Sequence, residues 1–322
     1  AGSIVASVGD SIFSRIISGL ISPNDPLGEG YDVFFVLDDG TNQSVVVNTN
    51  DVSDIRTSDK DAFISEPSSQ ILATSIPSTA NTPASAVDIF KFDITDGGGS
   101  DGLPTAITEL RFAQFGATDL RNTIGGVVLK DELDNPITII DTTIQANNII
   151  LTIDPATLVI PDNSSKTVTL AVYLSSADSS LIDGESITFY ITDSNDFSTS
   201  SYFTQKSTTV SGPIYANAQT VDVDATRLTI SYYSPAVATN KEILLDVYAS
   251  DDNGNYDQDE TSSITVSLGY NTQGGTLELK STPPDFTQSL VAGIASWDNI
   301  QYKTVDVITL IVSSATLTDD TT

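Results

Sequence analysis

The chain contains no cysteine, no histidine and no methionine. Without cysteine there is no disulfide framework. Without cysteine or histidine there is no thiolate or imidazole site for zinc, iron or copper. The missing histidine also removes the usual proton shuttle near neutral pH, and the missing cysteine removes the readiest nucleophile. A chain free of oxidisable sulfur fits life outside the cell. Basic residues are scarce as well: 13 Lys and Arg stand against 43 Asp and Glu, a net charge of −30. Such a surface repels phosphate backbones and anionic lipid, so nucleic acid is not an expected partner; counter-cations and basic protein surfaces are. No run reaches the roughly twenty apolar residues needed to cross a bilayer, and no direct membrane insertion is expected.

What the chain does have is β-periodicity. Its 322 residues, 39% apolar, suffice for two ordinary or three small domains. Apolar and polar residues alternate with a period of two in VDIFKFDITD (87–96), TAITELRFAQF (105–115), NIILTID (148–154), KTVTLAVYLS (166–175), ESITFYITD (185–193) and SITVSLGY (263–270). Val, Ile, Thr, Phe and Tyr dominate these runs, and DGGGSDG, DELDNP and PDNSS punctuate them as turns. The expected fold class is all-β, as tandem immunoglobulin-like β-sandwich domains. The divisions expected are an N-terminal β-rich segment over 1–66, an elaborated sandwich over 67–222 and an immunoglobulin-like sandwich over 223–322. Residues 2–40 echo 69–98 in order and spacing, which makes the first segment a partial repeat. Residues 8–21 also read as a short amphipathic helix. The ends AGSIVAS and TLTDDTT suggest a mature product or a piece of something longer.

Two stretches resemble repeat units of giant bacterial surface adhesins, the kind exported by the type IX pathway and used in gliding and attachment. The first is AVDIFKFDITDGGGSDGLPTAITELRF (86–112) with LVIPDNSSKTVTLAVYLSS (158–176). The second is ATRLTISYYSP (225–235), LLDVYASDDNGNYDQDE (244–260) and SLVAGIASWDNIQY (289–302). The resemblance implies an extracellular, cell-surface protein whose partners are neighbouring subunits or repeats, with surface glycans a further candidate. Asp10-Ser11, Asp141-Thr142 and Asp320-Thr321 are similar to the O-glycan acceptor sequence of bacteria carrying such adhesins, and Asn42 and Asn163 fit the N-glycan pattern.

The acidic loops are the candidate sites. In DDNGNYDQDE, residues Asp251, Asn253, Asn255, Asp257 and Asp259 place an oxygen at every second position, as calcium prefers. The order is not that of an EF-hand, because Tyr256 stands where glycine is needed. The competing reading is a plain hairpin, Asn253-Gly254 being a type I′ signal. In DITDGGGSDG, Asp93, Asp96 and Asp101 are a second calcium candidate beside a plain solvated loop, and KDELDNP (130–136) is a weaker third.

Gly98-Gly99-Ser100-Asp101-Gly102 matches a nucleophile elbow in letters only, since no histidine exists to take the serine proton. Trp297, the single tryptophan, reads as core rather than a sugar platform. The expectation is therefore a non-enzymatic adhesin stalk or filament stiffened by calcium. The alternative is a carbohydrate-binding or glycan-processing module, since paired carboxylates are a three-dimensional fact. Residues 1–21 are expected to pair either with their own sandwich edge or with a neighbour's.

Overall fold

The computed structural model describes residues 62–96, 104–116, 119–192, 196–199, 213–234, 241–280 and 285–322, and the backbone of the hairpin Phe34–Asp38 and Gln43–Val47. The expected helix over 8–21, the strand exchange of residues 1–21 and the position of Asp101 lie outside these residues. The fold is all-β. The helices described include the single turns Pro83–Ser85 and Leu120–Thr123.

The period of two explains the sheets. In Val87–Asp96, Phe90, Phe92, Ile94 and Asp96 point into the protein, while Lys91, Asp93 and Thr95 are half-exposed on the other face. This strand is second in a five-stranded antiparallel sheet with Ala62–Ser65, Ser165–Leu174, Ile124–Lys130 and Pro136–Ile137. The sheet takes in residues 62–65, a few positions before the second sequence division, and buries Ile64 completely.

The opposing nine-stranded sheet runs through Ser75–Pro77, Gln219–Asp222, Ser186–Ile191, Thr105–Phe115, Asn148–Ile153 and Ile139–Ile144, with three short strands attached. Phe90 and Phe92 from one sheet meet Phe112 from the other at ring separations of 6.1 and 5.7 Å. Tilted and edge-on rings at such distances are the favoured aromatic geometry.

A second sandwich pairs two four-stranded sheets. One is Arg227–Tyr233, Glu242–Ser250, Ile294–Tyr302 and Leu277–Leu279; the other is Thr287–Ser289, Ser263–Leu268, Leu310–Ser314 and Asp320–Thr321. Trp297 stands opposite Leu245 and is 2% exposed, filling this core as its strand context implies. The two cores share no residue.

Register fixes which ends meet. In the first sandwich Ala62 pairs with Asp96 and Thr95 with Ser165 at the entry end, while Leu174 and Ile124 lie at the other. The loop 175–185 leaves from that far end. In the second sandwich Arg227 pairs with Ser250, so entry from the linker and exit into residues 251–260 lie side by side. Phe92→Ala is expected to cost about 3–5 kcal/mol in the first core, with the native emission of Trp297 unchanged because that indole belongs to the other core. A red-shifted native emission spectrum in the variant would show that the cores are not separate.

Candidate functional site

Residues 251–260 leave a central strand at the end facing the first sandwich. Asp251, 5% exposed, organises the turn with its own side chain. Its Oδ1 accepts from the backbone N of Asn253 (3.0 Å) and Asn255 (2.9 Å), and its Oδ2 from Asn255 Nδ2 (2.8 Å). Asp251 N donates to Asn255 O and Gly254 N to Asp251 O, both at 3.1 Å. Only Gly254 takes a positive φ, +75°. A type I′ hairpin needs positive φ at both central residues, so the Asn253-Gly254 signal produces a different turn, closed by a carboxylate.

The turn is docked. Ser179 N, from the first sandwich, donates to Asn253 O (2.9 Å), and Ser179 Oγ to Gly254 O (3.2 Å). Leu181 N donates to Asn255 Oδ1 (2.9 Å), and Asn255 is 1% exposed. Further on, Gln258 N donates to Asp183 Oδ2 (2.9 Å) and Gln258 Nε2 to Asp183 O (3.3 Å). The linker is held by the same carboxylates: Val223 N donates to Asp183 Oδ1 and Ala225 N to Asp257 Oδ2, each at 2.9 Å. Gly293, at φ +68°, makes room. A Cβ there would lie 1.9 Å from the Asp257 carbonyl oxygen. Residues 251–260, the loop 175–185 and the linker thus form one joint.

Charge accumulates in it. Carboxylate oxygens of Asp183, Asp257 and Asp259 lie within 4.8 Å of one another. Burial raises the Asp257 pKa, its contact with the Asp259 carboxyl adds to that, and the N–H groups of Ala225 and Glu260 oppose it. Asp222 and Asp224 are also raised, first by burial and then by the charges of neighbouring aspartates, Asp183 and Asp257 among them. The ion pairs formed among the described residues, such as Lys130–Asp88 and Lys280–Glu242, lie elsewhere.

Three carboxylates at this spacing suit a hard, oxygen-seeking cation. Asp257 Oδ1 accepts from Asp259 N and Glu260 N and its Oδ2 from Ala225 N, and one of its oxygens lies near those of Asp183 and Asp259. The donor chemistry fits calcium, with water completing the shell.

Of the five residues singled out in this stretch, Asp257 and Asp259 enter the cluster. Asp251, Asn253 and Asn255 build and dock the turn instead. Asp183 was missed because it lies 75 residues before Gln258, in the other sandwich; its Asp-Gly turn was the available signal.

Asp93 and Asp96, the described members of the second candidate set, lie on opposite faces of one strand. Asp96 is 1% exposed, points inward and accepts from Thr105 Oγ1 (2.8 Å), whereas Asp93 is on the opposite face, accepting from Thr167 Oγ1 (2.6 Å). Residues three apart on a strand face opposite ways, so the structure does not bring Asp93 and Asp96 to one ion. Exposed aromatics form one further feature: Phe115, Tyr190 and Tyr215 lie 5.7–6.0 Å apart on the outer face of the large sheet.

No protein-family model matches the chain, and no curated protein matches it. Among solved structures, the adhesin InvE of Yersinia pseudotuberculosis is similar at 12% identity and a TM-score of 0.25, over 82% of this chain and 58% of its own. The major pilin subunit BcpA of Bacillus cereus is similar at 11% identity and 0.23, over 88% and 66%. A β-glucuronidase of Parabacteroides merdae is similar at 10% identity and 0.25, over 81% of this chain and 23% of its own. The chain thus spans less than two thirds of each of these proteins. At such TM-scores the likenesses decide nothing between adhesin, pilin and glycosidase.

Proposed function

We propose that the chain is a non-enzymatic stretch of an extracellular, cell-surface adhesin stalk or filament, whose β-sandwiches are held in line by acidic joints that calcium stiffens. The observation that carries this reading is the docked turn 251–260. Five hydrogen bonds tie it to the loop 175–185, so the joint is a fitted contact rather than a bare tether. The cation position straddles the joint, with Asp183 from one sandwich and Asp257 and Asp259 from the other. An ion there would cross-link the two and cancel their repulsion. Catalysis by Asp257 with either of its neighbours Asp183 and Asp259 is disfavoured, because a catalytic carboxyl must reach substrate. Asp257 is 4% exposed and holds three backbone N–H groups.

A glycan-binding reading is favoured by one feature, the Phe115–Tyr190–Tyr215 cluster, with Phe115 53% and Tyr215 49% exposed. Its rings are inclined at 41–79°, however, and do not make a flat stacking platform. Binding on a neutral-glycan array that is lost in Tyr215→Ala would establish that reading in place of the structural one.

Calcium is expected to raise the melting temperature of the joint-bearing chain, by a free energy of about 2.7 kcal/mol at a hundredfold excess over Kd. Magnesium should substitute poorly, since it demands a strict octahedron. Asp259→Asn should act in opposite directions: more stable than the parent in chelator, because one repelling charge is gone, and without further gain when calcium is added. Identical calcium responses of parent and variant would remove the ion from this site.

Acidity provides a second test. Asp222, Asp224 and Asp257 have raised pKa values in the folded chain. Their contribution is fully present below the ordinary carboxylate pKa of about 3.9 and is lost as pH rises through the folded values. In chelator, hydrogen-exchange protection of the loop 175–185, corrected for intrinsic rate, should therefore fall as pH rises above the ordinary carboxylate value of about 3.9. Calcium at neutral pH should restore it. Protection that ignores both pH and calcium would contradict the electrostatic account of the joint.

A further inference from the structure

The turn at residues 131–135 (Asp-Glu-Leu-Asp-Asn) has the same fold as the docked turn at 251–255 (Asp-Asp-Asn-Gly-Asn). Each begins on the residue after a strand, Ile124–Lys130 or Glu242–Ser250. Asp131 Oδ1 accepts from Leu133 N (2.9 Å) and Asn135 N (2.8 Å), and Oδ2 from Asn135 Nδ2 (3.0 Å). Asp131 N donates to Asn135 O (2.9 Å) and Asp134 N to Asp131 O (3.1 Å). These are the five bonds of the Asp251 turn, one for one, with no length differing by more than 0.2 Å. Asp134 takes φ +62° where Gly254 takes +75°. A side chain held in that left-handed region is uncommon, and the Asp131 carboxylate locks it there.

Placement agrees as well. The docked turn lies where the chain enters the second sandwich, beside Arg227. The turn 131–135 lies where the chain enters the first: Ala62 pairs with Asp96, Thr95 with Ser165, and Lys166 is close enough for its charge to act on Asp131.

What covers the two turns is different. Asn255 is 1% exposed and takes a hydrogen bond from a neighbouring sandwich, whereas Asn135 is exposed. Among the described residues no other loop donates to the Asn135 carboxamide oxygen or the Leu133 carbonyl. Leu133, in the position of Asn253, is 75% exposed on this rigid turn. An isobutyl group held outward on a turn closed by five hydrogen bonds is available for burial against a partner.

We propose that the turn 131–135 is a second joint of the same design, occupied by the part of this chain that precedes residue 62. The inference rests on reading residues 251–260 as a joint, and not on calcium. The 61 preceding residues are the fitting occupant because the chain runs into Ala62 at this very end. A tether there supplies a high local concentration, whereas a second copy would lose translational and rotational freedom on docking.

Hydroxyl-radical footprinting of the full chain tests this without substitution. Leu72 is 79% exposed, so Leu133 and Leu72 share chemistry and near-equal exposure among the described residues. The expected result is severalfold slower oxidation at Leu133, unchanged on dilution. Equal rates would overturn the proposal. Protection that vanishes on dilution would assign the turn to a second copy and overturn it too. Asn135→Ala should release Leu133 while leaving hydrogen-exchange protection at residues 179–183 intact; if protection at 179–183 is missing in the parent, the fault lies with the joint reading itself.

Discussion

The interaction on which this protein depends is a carboxylate accepting backbone N–H groups. With 43 acids and 13 bases, most of its aspartates cannot find a cationic partner within the chain. They satisfy amides instead. Asp131 and Asp251 close turns, Asp183 and Asp257 hold the linker, and Asp306 fastens the loop at 272–273 to its own. Each such bond is charge-assisted, stronger than a neutral one, and satisfies an amide that a loop would otherwise leave to water. An all-β chain needs many sharp loops, and here acidity and loop structure have become the same property.

That use of charge divides the aspartates into two electrostatic groups. At Asp306 and Asp131, each facing several donors, the pKa falls. The hydrogen bonds of Thr272, Gln273 and Val307 hold Asp306 down at about 2, and the Asn135 amide lowers Asp131. Their contribution is present above the ordinary carboxylate pKa and lost as pH falls through the folded value. At the joint the balance reverses, because burial and neighbouring aspartates outweigh the donors. The loops closed by Asp306 and Asp131 are thus favoured by ionisation, while the contact between sandwiches is opposed by it. The carboxylates of Asp183, Asp257 and Asp259, which come from both sandwiches, are where a cation would cancel that opposition.

Much of this was legible in the sequence, for definable reasons. Period-two alternation marked the central strands because each has one dry face and one wet face, and Trp297 was readable as core from the same pattern. The same rule separates Asp93 from Asp96, since an odd separation along a strand sends side chains to opposite faces. Asp183 was out of reach for another reason. Its role is defined by a contact 75 residues away across two sandwiches, and no local pattern encodes a docking partner. Asn253-Gly254 misleads as a hairpin signal because the dipeptide is compatible with several turns, and the deciding group, the Asp251 carboxylate, comes before it.

The two Asp-turns carry the point further. In letters, DELDN and DDNGN share only the first and last residue, and DDNGN is far closer to an ion-binding loop in composition. Their geometry is nevertheless one geometry, because the structure needs only an acceptor at the first position, an amide at the fifth and a left-handed residue at the fourth. Glycine meets the last requirement without strain, and aspartate meets it when the turn is otherwise locked. The intervening residues are then free to specify what the turn touches. Asn253 lies half-buried in the polar joint with Ser179, whereas Leu133 presents an apolar surface from the same scaffold. A fixed turn with variable tips lets a chain of sandwiches keep one joint design while changing the neighbour each joint accepts.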